Sequence, residues 1–216
     1  MNIILMGPPG AGKGTQAERI ASEFQIPHIS TGDAFRQAIR QGTPIGVEAK
    51  SYLDRGELVP DEITIGVVQE RLQQPDCNLG FMLDGFPRTI PQADALEQIL
   101  SSSGKSIDNV IDFYVDRNLL LERLTGRRIC KSCGATYHMV FNPPKVDGVC
   151  DKCSGELYQR SDDSAEKVGT RLDEYDNKTA PLLDYYREKN LLREIDGEQE
   201  IQQVTETVFS FLRGKA

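Results

Sequence analysis

A chain of 216 residues with 38% hydrophobic side chains is long enough to bury one substantial core and to carry an inserted lobe as well. Its net charge of −8 and isoelectric point near 4.9 disfavour a nucleic-acid backbone or an anionic membrane as principal partner, while small anions can still be captured locally. No apolar run approaches the ~20 residues of a membrane span, and the N-terminus leads straight into a motif with no signal peptide, so a soluble cytoplasmic protein is expected.

The first apolar run, Asn2 to Met6, reads as a strand, and Ala17, Ile20, Ala21 and Phe24 repeat at helical spacing after it. Between them lies Gly7-Pro8-Pro9-Gly10-Ala11-Gly12-Lys13-Gly14-Thr15. Strand, glycine-rich turn, lysine and helix in that order form a phosphate-binding loop. Glycines at 7, 10 and 12 let successive N–H groups turn inward around a polyphosphate, and the helix adds its positive end. Lys13 supplies a flexible point charge for the β and γ oxygens. One departure from the strict pattern is that Gly14 follows the lysine, so the hydroxyl comes from Thr15.

Four more short apolar runs follow, at Pro27 to Ser30, Phe81 to Leu83, Val110 to Val115 and Leu192 to Ile195, each separated from the next by helical pattern. That alternation predicts an α/β fold, a doubly wound five-stranded parallel sheet of the P-loop kind covered on both faces. Ligands are then expected at the carboxyl ends of the strands, where Gly7, Ser30, Asp84 and Asp116 fall. Residues 30–59 and 126–163 break the rhythm and read as two inserted lobes on a core made of 1–29, 60–125 and 164–216. Ser101-Ser102-Ser103-Gly104 reads as a surface turn, and there is no internal repeat.

Four of the five cysteines form two CxxC knuckles, Cys130/Cys133 and Cys150/Cys153, sixteen residues apart. That spacing points to a tetrahedral Zn²⁺ site, and four thiolates leave no open coordination position, so the metal's task would be structural. A lobe this short cannot bury enough surface to be stable alone. Iron or cobalt would fit the same thiolates, and a disulfide pairing or unliganded buried thiols are the other readings. Cys77 stands apart as an inert, partly buried thiol. The lobe carries six basic and five acidic side chains, which is no basic patch for nucleic acid.

Asp84-Gly85-Phe86-Pro87-Arg88 follows the third strand, with Asp84 where an acid can hold the water shell of Mg²⁺. With the phosphate loop, with Ser30-Thr31-Gly32-Asp33 and Arg36, Gly56-Glu57-Leu58-Val59-Pro60-Asp61, Thr125-Gly126-Arg127-Arg128 and Phe141-Asn142-Pro143-Pro144, the chain resembles the adenylate kinase family along nearly its whole length. It is similar to the long bacterial form, whose lid carries zinc in many members.

The resemblance implies a monophosphate-binding lobe at 30–59, a zinc-bearing lid at 126–163 and a monomer acting on ATP, AMP and ADP. By position it implies that Gly10, Ala11, Gly12, Lys13, Gly14, Thr15, Arg127, Thr136, Tyr137 and Gln199 hold ATP. Thr31, Arg36, Glu57, Leu58, Val59, Gly85, Phe86, Pro87, Arg88, Gln92, Arg160 and Arg171 would hold AMP. Lys13, Asp84, Arg88, Arg123, Arg160 and Arg171 would act in catalysis, with Mg²⁺ arriving on ATP. The reaction implied is ATP + AMP to two ADP; it needs no strong general base, and His28 and His138 are read as structural. A kinase for UMP or CMP is the nearest rival, and a nucleotide-gated zinc module that switches without phosphate transfer is a rival of another class.

Overall fold

The computed structural model describes residues 1–214. Its central sheet has the strands β1 (Asn2–Met6), β2 (His28–Ser30), β3 (Phe81–Asp84), β4 (Asn109–Tyr114) and β8 (Leu192–Asp196), the five expected, in the order β2-β3-β1-β4-β8. Every neighbouring pair is parallel. Parallel strands need crossover helices on both faces, and so they lack polar alternation. β1 shows the result: Ile3 and Leu5 enter one core with Met82, Ile111 and Phe113, while Ile4 and Met6 enter the other with Phe81, Leu83 and Val110. The first core is closed by α1 (Lys13–Phe24) and α9 (Ile201–Leu212), the second by α4 (Asp61–Leu72), α5 (Ile90–Ser102) and α8 (Pro181–Glu188).

Strand limits shift slightly from the expectation: β4 stops at Tyr114, and Asp116, just past its carboxyl end as expected, does not line the cleft but caps α6 (Arg117–Thr125), its carboxylate accepting from Asn118 N at 2.8 Å. Cys77 is buried, and burial pushes its thiol up. No helix among the described residues is long and apolar enough to cross a membrane.

The first interruption, residues 30–59, is a helical pair, α2 (Thr31–Gln41) and α3 (Pro44–Arg55). Their hinge is written locally, because Gly42 takes a left-handed φ of 66° and Thr43 caps α3 by accepting from Gly46 N at 3.1 Å, with Pro44 at the first helical position. Phe35, Ala49 and Val59 form its small core. The second interruption carries a three-stranded antiparallel sheet that no periodicity announced, with β5 (Arg127–Cys130) between β6 (Thr136–His138) and β7 (Leu157–Tyr158). The chain returns through α7 (Ala165–Glu174) and a π-helical turn at Tyr175–Thr179.

Gly46 is where α3 meets α2 closely: a Cβ there would lie 2.2 Å from the Ala38 carbonyl oxygen, a backbone atom that cannot swing aside. Gly46→Ala is therefore expected to destabilise the protein by about 1–3 kcal/mol in denaturant titrations. An unchanged midpoint would show that the helical pair spreads freely.

Candidate active site

The carboxyl ends of the strands open into a cleft of about 1190 Å³ lined by the phosphate loop, the helical pair, β5, β6 and α7. Gly7 and Gly10 both need positive φ, 128° and 89°, and a Cβ on Gly7 would stand 2.6 Å from the Phe113 carbonyl oxygen of β4. The loop can press against the sheet only because that position has no side chain. Gly12 precedes α1 and offers no side-chain cap, so the first N–H groups of the helix are left for an anion. The Lys13 ammonium donates to the Gly7 and Pro8 carbonyls at 2.6 and 2.9 Å. Burial lowers it to about 8, against the attraction of Asp84.

Eight arginines line this cleft with Lys13 and Lys131, and six of them, Arg36, Arg88, Arg123, Arg127, Arg160 and Arg171, are those expected from the sequence to meet phosphate. Burial, with mutual repulsion, lowers Arg88 to about 10 and Arg160 to about 9, and burial depresses Arg123 and Arg171 too. Each is held by an acceptor. Arg88 donates to Gly85 O at 2.8 Å and Arg123 to Gly197 O at 2.9 Å. Arg36 and Arg160 meet on one Asp33 oxygen at 2.7 and 3.2 Å. Burial alone would raise Asp33, but the two guanidinium groups outweigh it and bring the carboxyl down to about 2. Arg127 grips Asp163 with two bonds, 2.8 and 2.5 Å, and Arg171 reaches Asp163 at 2.9 Å and Asp162 at 3.2 Å.

Most of the residues singled out from the sequence line the cleft: Gly10 through Thr15, Asp84, Gly85, Pro87, Glu57, Leu58, Thr136, Tyr137, Gln199 and the six arginines named above. Thr31, Val59, Phe86 and Gln92 do not; they are buried behind the wall. Thr31 donates to Gly85 O at 2.8 Å, and Gln92 accepts from Arg88 N at 2.8 Å while donating to Asp61 at 2.7 Å. These two shape the backbone that carries Gly85 and Arg88. Gln199 lies at the edge, donating to Asp196 at 3.5 Å.

Sequence reasoning missed the counter-charges Asp33, Asp162 and Asp163, whose only signal was acids spaced among arginines. His28, read as structural, stands with Nε2 3.3 Å from Asp84 Oδ2 at the cleft. His138 fits the structural reading: its Nδ1 accepts from Val140 N and Phe141 N.

In the second lobe all four cysteine Sγ atoms lie within 4.8 Å of one another. Cys130 and Cys153 approach to 3.5 Å, Cys133 and Cys150 to 3.6 Å, and none is disulfide-bonded. A tetrahedron with Zn–S bonds of ~2.3 Å has edges of ~3.8 Å, so the donor set and its spacing fit zinc. Tyr137 joins this centre to the cleft: its oxygen accepts from Asp151 N at 2.8 Å, which aims its proton at Cys150 Sγ, 3.4 Å away.

A phosphate loop on a parallel sheet, an acid at the end of the strand beside it and a ring of arginines from the core and from residues 30–59 and 126–163 define a P-loop phosphotransferase of the nucleoside monophosphate kinase class. A family model described as adenylate kinase matches residues 5–191. The chain is 61% identical to the adenylate kinase of Bacillus subtilis (strain 168) over 214 residues, 99% of each chain, and equally to that of Geobacillus sp. (strain WCH70). It is 62% identical to the adenylate kinase of Desulfitobacterium hafniense (strain Y51) over 208 residues, 96% of each chain. The chain belongs to the adenylate kinase family.

The His28–Asp84 pair makes a pH prediction. Burial alone would lower His28, but the hydrogen bond and charge of Asp84 outweigh it and raise it above its ordinary value. A folded-state value above the unfolded ~6.5 means stabilisation that is full below about pH 6.5 and lost as pH rises through the folded value. His28→Gln should therefore lower Tm relative to wild type at about pH 5 and much less at about pH 9. A Tm difference independent of pH would rule the pair out as a source of stability.

Proposed function

We infer that the protein transfers the γ-phosphoryl group of ATP reversibly to the phosphate of AMP, giving two ADP. What supports this reading most is the convergence of Lys13 and six arginines on one cleft whose volume exceeds the ~300–1,000 Å³ of a single-ligand site. In it ATP lies over Gly10 to Thr15, with Arg123, Arg127, Thr136, Tyr137 and Gln199 around it. AMP lies between the helical pair and Gly85 to Arg88, its phosphate met by Arg36 and Arg88, its base by the backbone of Glu57 to Val59. Thr31 and Gln92 serve AMP indirectly by fixing that wall.

The attacking group is an anionic phosphate oxygen, so no side chain needs to remove a proton from it. Negative charge spreads over the transferring oxygens, and Lys13, Arg88, Arg123, Arg160 and Arg171 oppose it from fixed positions in a site that closure dries. Arginine's planar fork meets two oxygens at once. Burial works against the charge on Asp84, but His28 and Lys13 outweigh it and hold the carboxyl below its ordinary range; it fits as the group that orders the waters of ATP-bound Mg²⁺. When bound, Mg²⁺ would withdraw charge from the phosphate oxygens. Residues 126–163 act as a lid and 30–59 as the AMP lobe. Their closure excludes water, the competing acceptor, and opening limits turnover. The four cysteines hold Zn²⁺ as a staple of the lid. The enzyme works as a monomer in the cytoplasm.

The direct test is ADP formation from Mg-ATP with each nucleoside monophosphate and a no-acceptor control. Rapid turnover with AMP alone is the expected result; turnover with UMP or CMP would move the specificity, and ATP binding without transfer would overturn the reading. Lys13→Met should keep the fold and lower kcat by orders of magnitude, about 10²-fold or more, and near-normal turnover would remove Lys13 from catalysis. Stripping the metal with a chelator should lower Tm by several degrees while kcat below the new transition falls far less, and an unchanged Tm would remove the staple.

A further inference from the structure

Phosphoryl transfer as described leaves one buried acid without a task. Asp112 on β4 is 3% exposed, and its Oδ1 has no hydrogen-bond partner among the described residues. A buried carboxylate left unpartnered is costly unless a charge nearby compensates it. Its Cα pairs in register with Met6, the residue just before the phosphate loop. Its side chain also shares a second cavity, of about 320 Å³, with Pro8, Leu120, Leu172 and Tyr175.

Pro8 links this cavity to the lysine, because its carbonyl and that of Gly7 receive the Lys13 ammonium. β1, which leads into the loop, lies between β3 and β4 in the sheet, so Asp84 and Asp112 stand on the two strands that flank it. These are the two carboxylates that attract Lys13, while Arg88 and Arg171 repel it. From the side of Asp112, Lys13 and Arg187 of α8 attract, Glu194 of β8 repels, and the Tyr175 hydroxyl completes its surroundings. Asp84 has His28 as a partner; Asp112 has the lysine's field and no hydrogen bond to Oδ1.

We propose that Asp112 is a positioning residue for Lys13, a buried carboxylate set behind the phosphate loop whose negative charge holds the ammonium on the loop's carbonyls until a polyphosphate arrives. The proposal rests on the assignment of Lys13 to ATP. Burial lifts Asp112 to about 6 and lowers Lys13 to about 8, so both carry charge at neutral pH. Taking away the negative charge makes the ammonium easier to deprotonate. In the ATP complex the polyphosphate supplies far more negative charge than one carboxylate, so the effect belongs to the free enzyme. It therefore appears in kcat/KM for ATP and not in kcat.

The test compares pH profiles of both parameters for wild type, Asp112→Asn and Asp112→Glu, with Lys13→Met as control and Lys13 ¹³Cε shifts followed by NMR in the unliganded protein. In Asp112→Asn the alkaline limb of kcat/KM and the Lys13 titration should both move down by about 0.5 pH unit or more, with kcat little changed and Asp112→Glu restoring both. A folded Asp112→Asn whose limb and Lys13 titration stay in place overturns the proposal, whatever happens to Tm. If Asp112→Asn does not fold, the unaltered protein decides: Lys13 ¹³Cε should show a second inflection that tracks the Asp112 carboxyl carbon and not the His28 ring, and its absence overturns the proposal. An active Lys13→Met would instead overturn the assignment of Lys13 beneath it.

Discussion

Lys13 and six arginines must stand in one cleft before any phosphate is there to neutralise them, and much of the structure answers that constraint. Like charges at close range in a partly dry site repel strongly, and burial adds to the cost of each. The depression of Lys13 to about 8, Arg160 to about 9 and Arg88 to about 10 records that strain. A bound polyphosphate relieves it. The site is therefore made for charge it does not itself contain, which is the electrostatic preorganisation that phosphoryl transfer requires.

What keeps the empty site folded is a small set of acids, each shared between elements. Asp33, on α2, receives Arg36 from its own helix and Arg160 from the far end of the second lobe. Asp163, fully buried, ties Arg127 of β5 to Arg171 of α7. Truncating one partner of the buried Asp163 pairs leaves an uncompensated charge and costs far more than the pair contributes net. The same acids that make the cations tolerable thus also set where the two lobes rest against the core. An arriving phosphate competes for those arginines, so substrate binding and lobe position draw on one set of bonds. The surface pair Lys152–Glu18, 3.0 Å apart, adds a weak tie between the second knuckle and α1.

The sequence made legible what depends on local chemistry. The phosphate loop, the two knuckles and the five strands of the sheet each need particular residues at fixed spacing, and each stands where the spacing placed it. The partners of the arginines were not legible, because the pairing is made by the fold: Arg160 lies 127 residues from Asp33, and Thr31 lies 54 from the Gly85 carbonyl that it holds. For the same reason the partners of Thr31 and Gln92, the Gly85 carbonyl, the Arg88 amide and Asp61, were not legible. The second lobe's sheet escaped notice because strands of two to four residues carry no period to read.

Such short strands also explain why the second lobe needs four sulfurs. Its buried apolar cluster amounts to Cys130, Ala135, Tyr137, Cys150 and Leu157, and two of those five are ligand candidates themselves. Hydrophobic burial on that scale cannot offset the ordering of the surrounding loops, whereas a closed tetrahedral centre fixes two chain turns at once. Tyr137 carries the consequence to the cleft. Its hydroxyl is committed to Cys150 and to the Asp151 amide, so the ring that lines the cleft is anchored from the cysteine cluster. Thr136 and Arg128 flank it on paired strands, and β5 also begins with Arg127. The β5–β6 ladder, with the four-cysteine cluster beside it, therefore carries an aromatic wall and Arg127 together to a site where misplacement of about 1 Å is enough to cost catalysis.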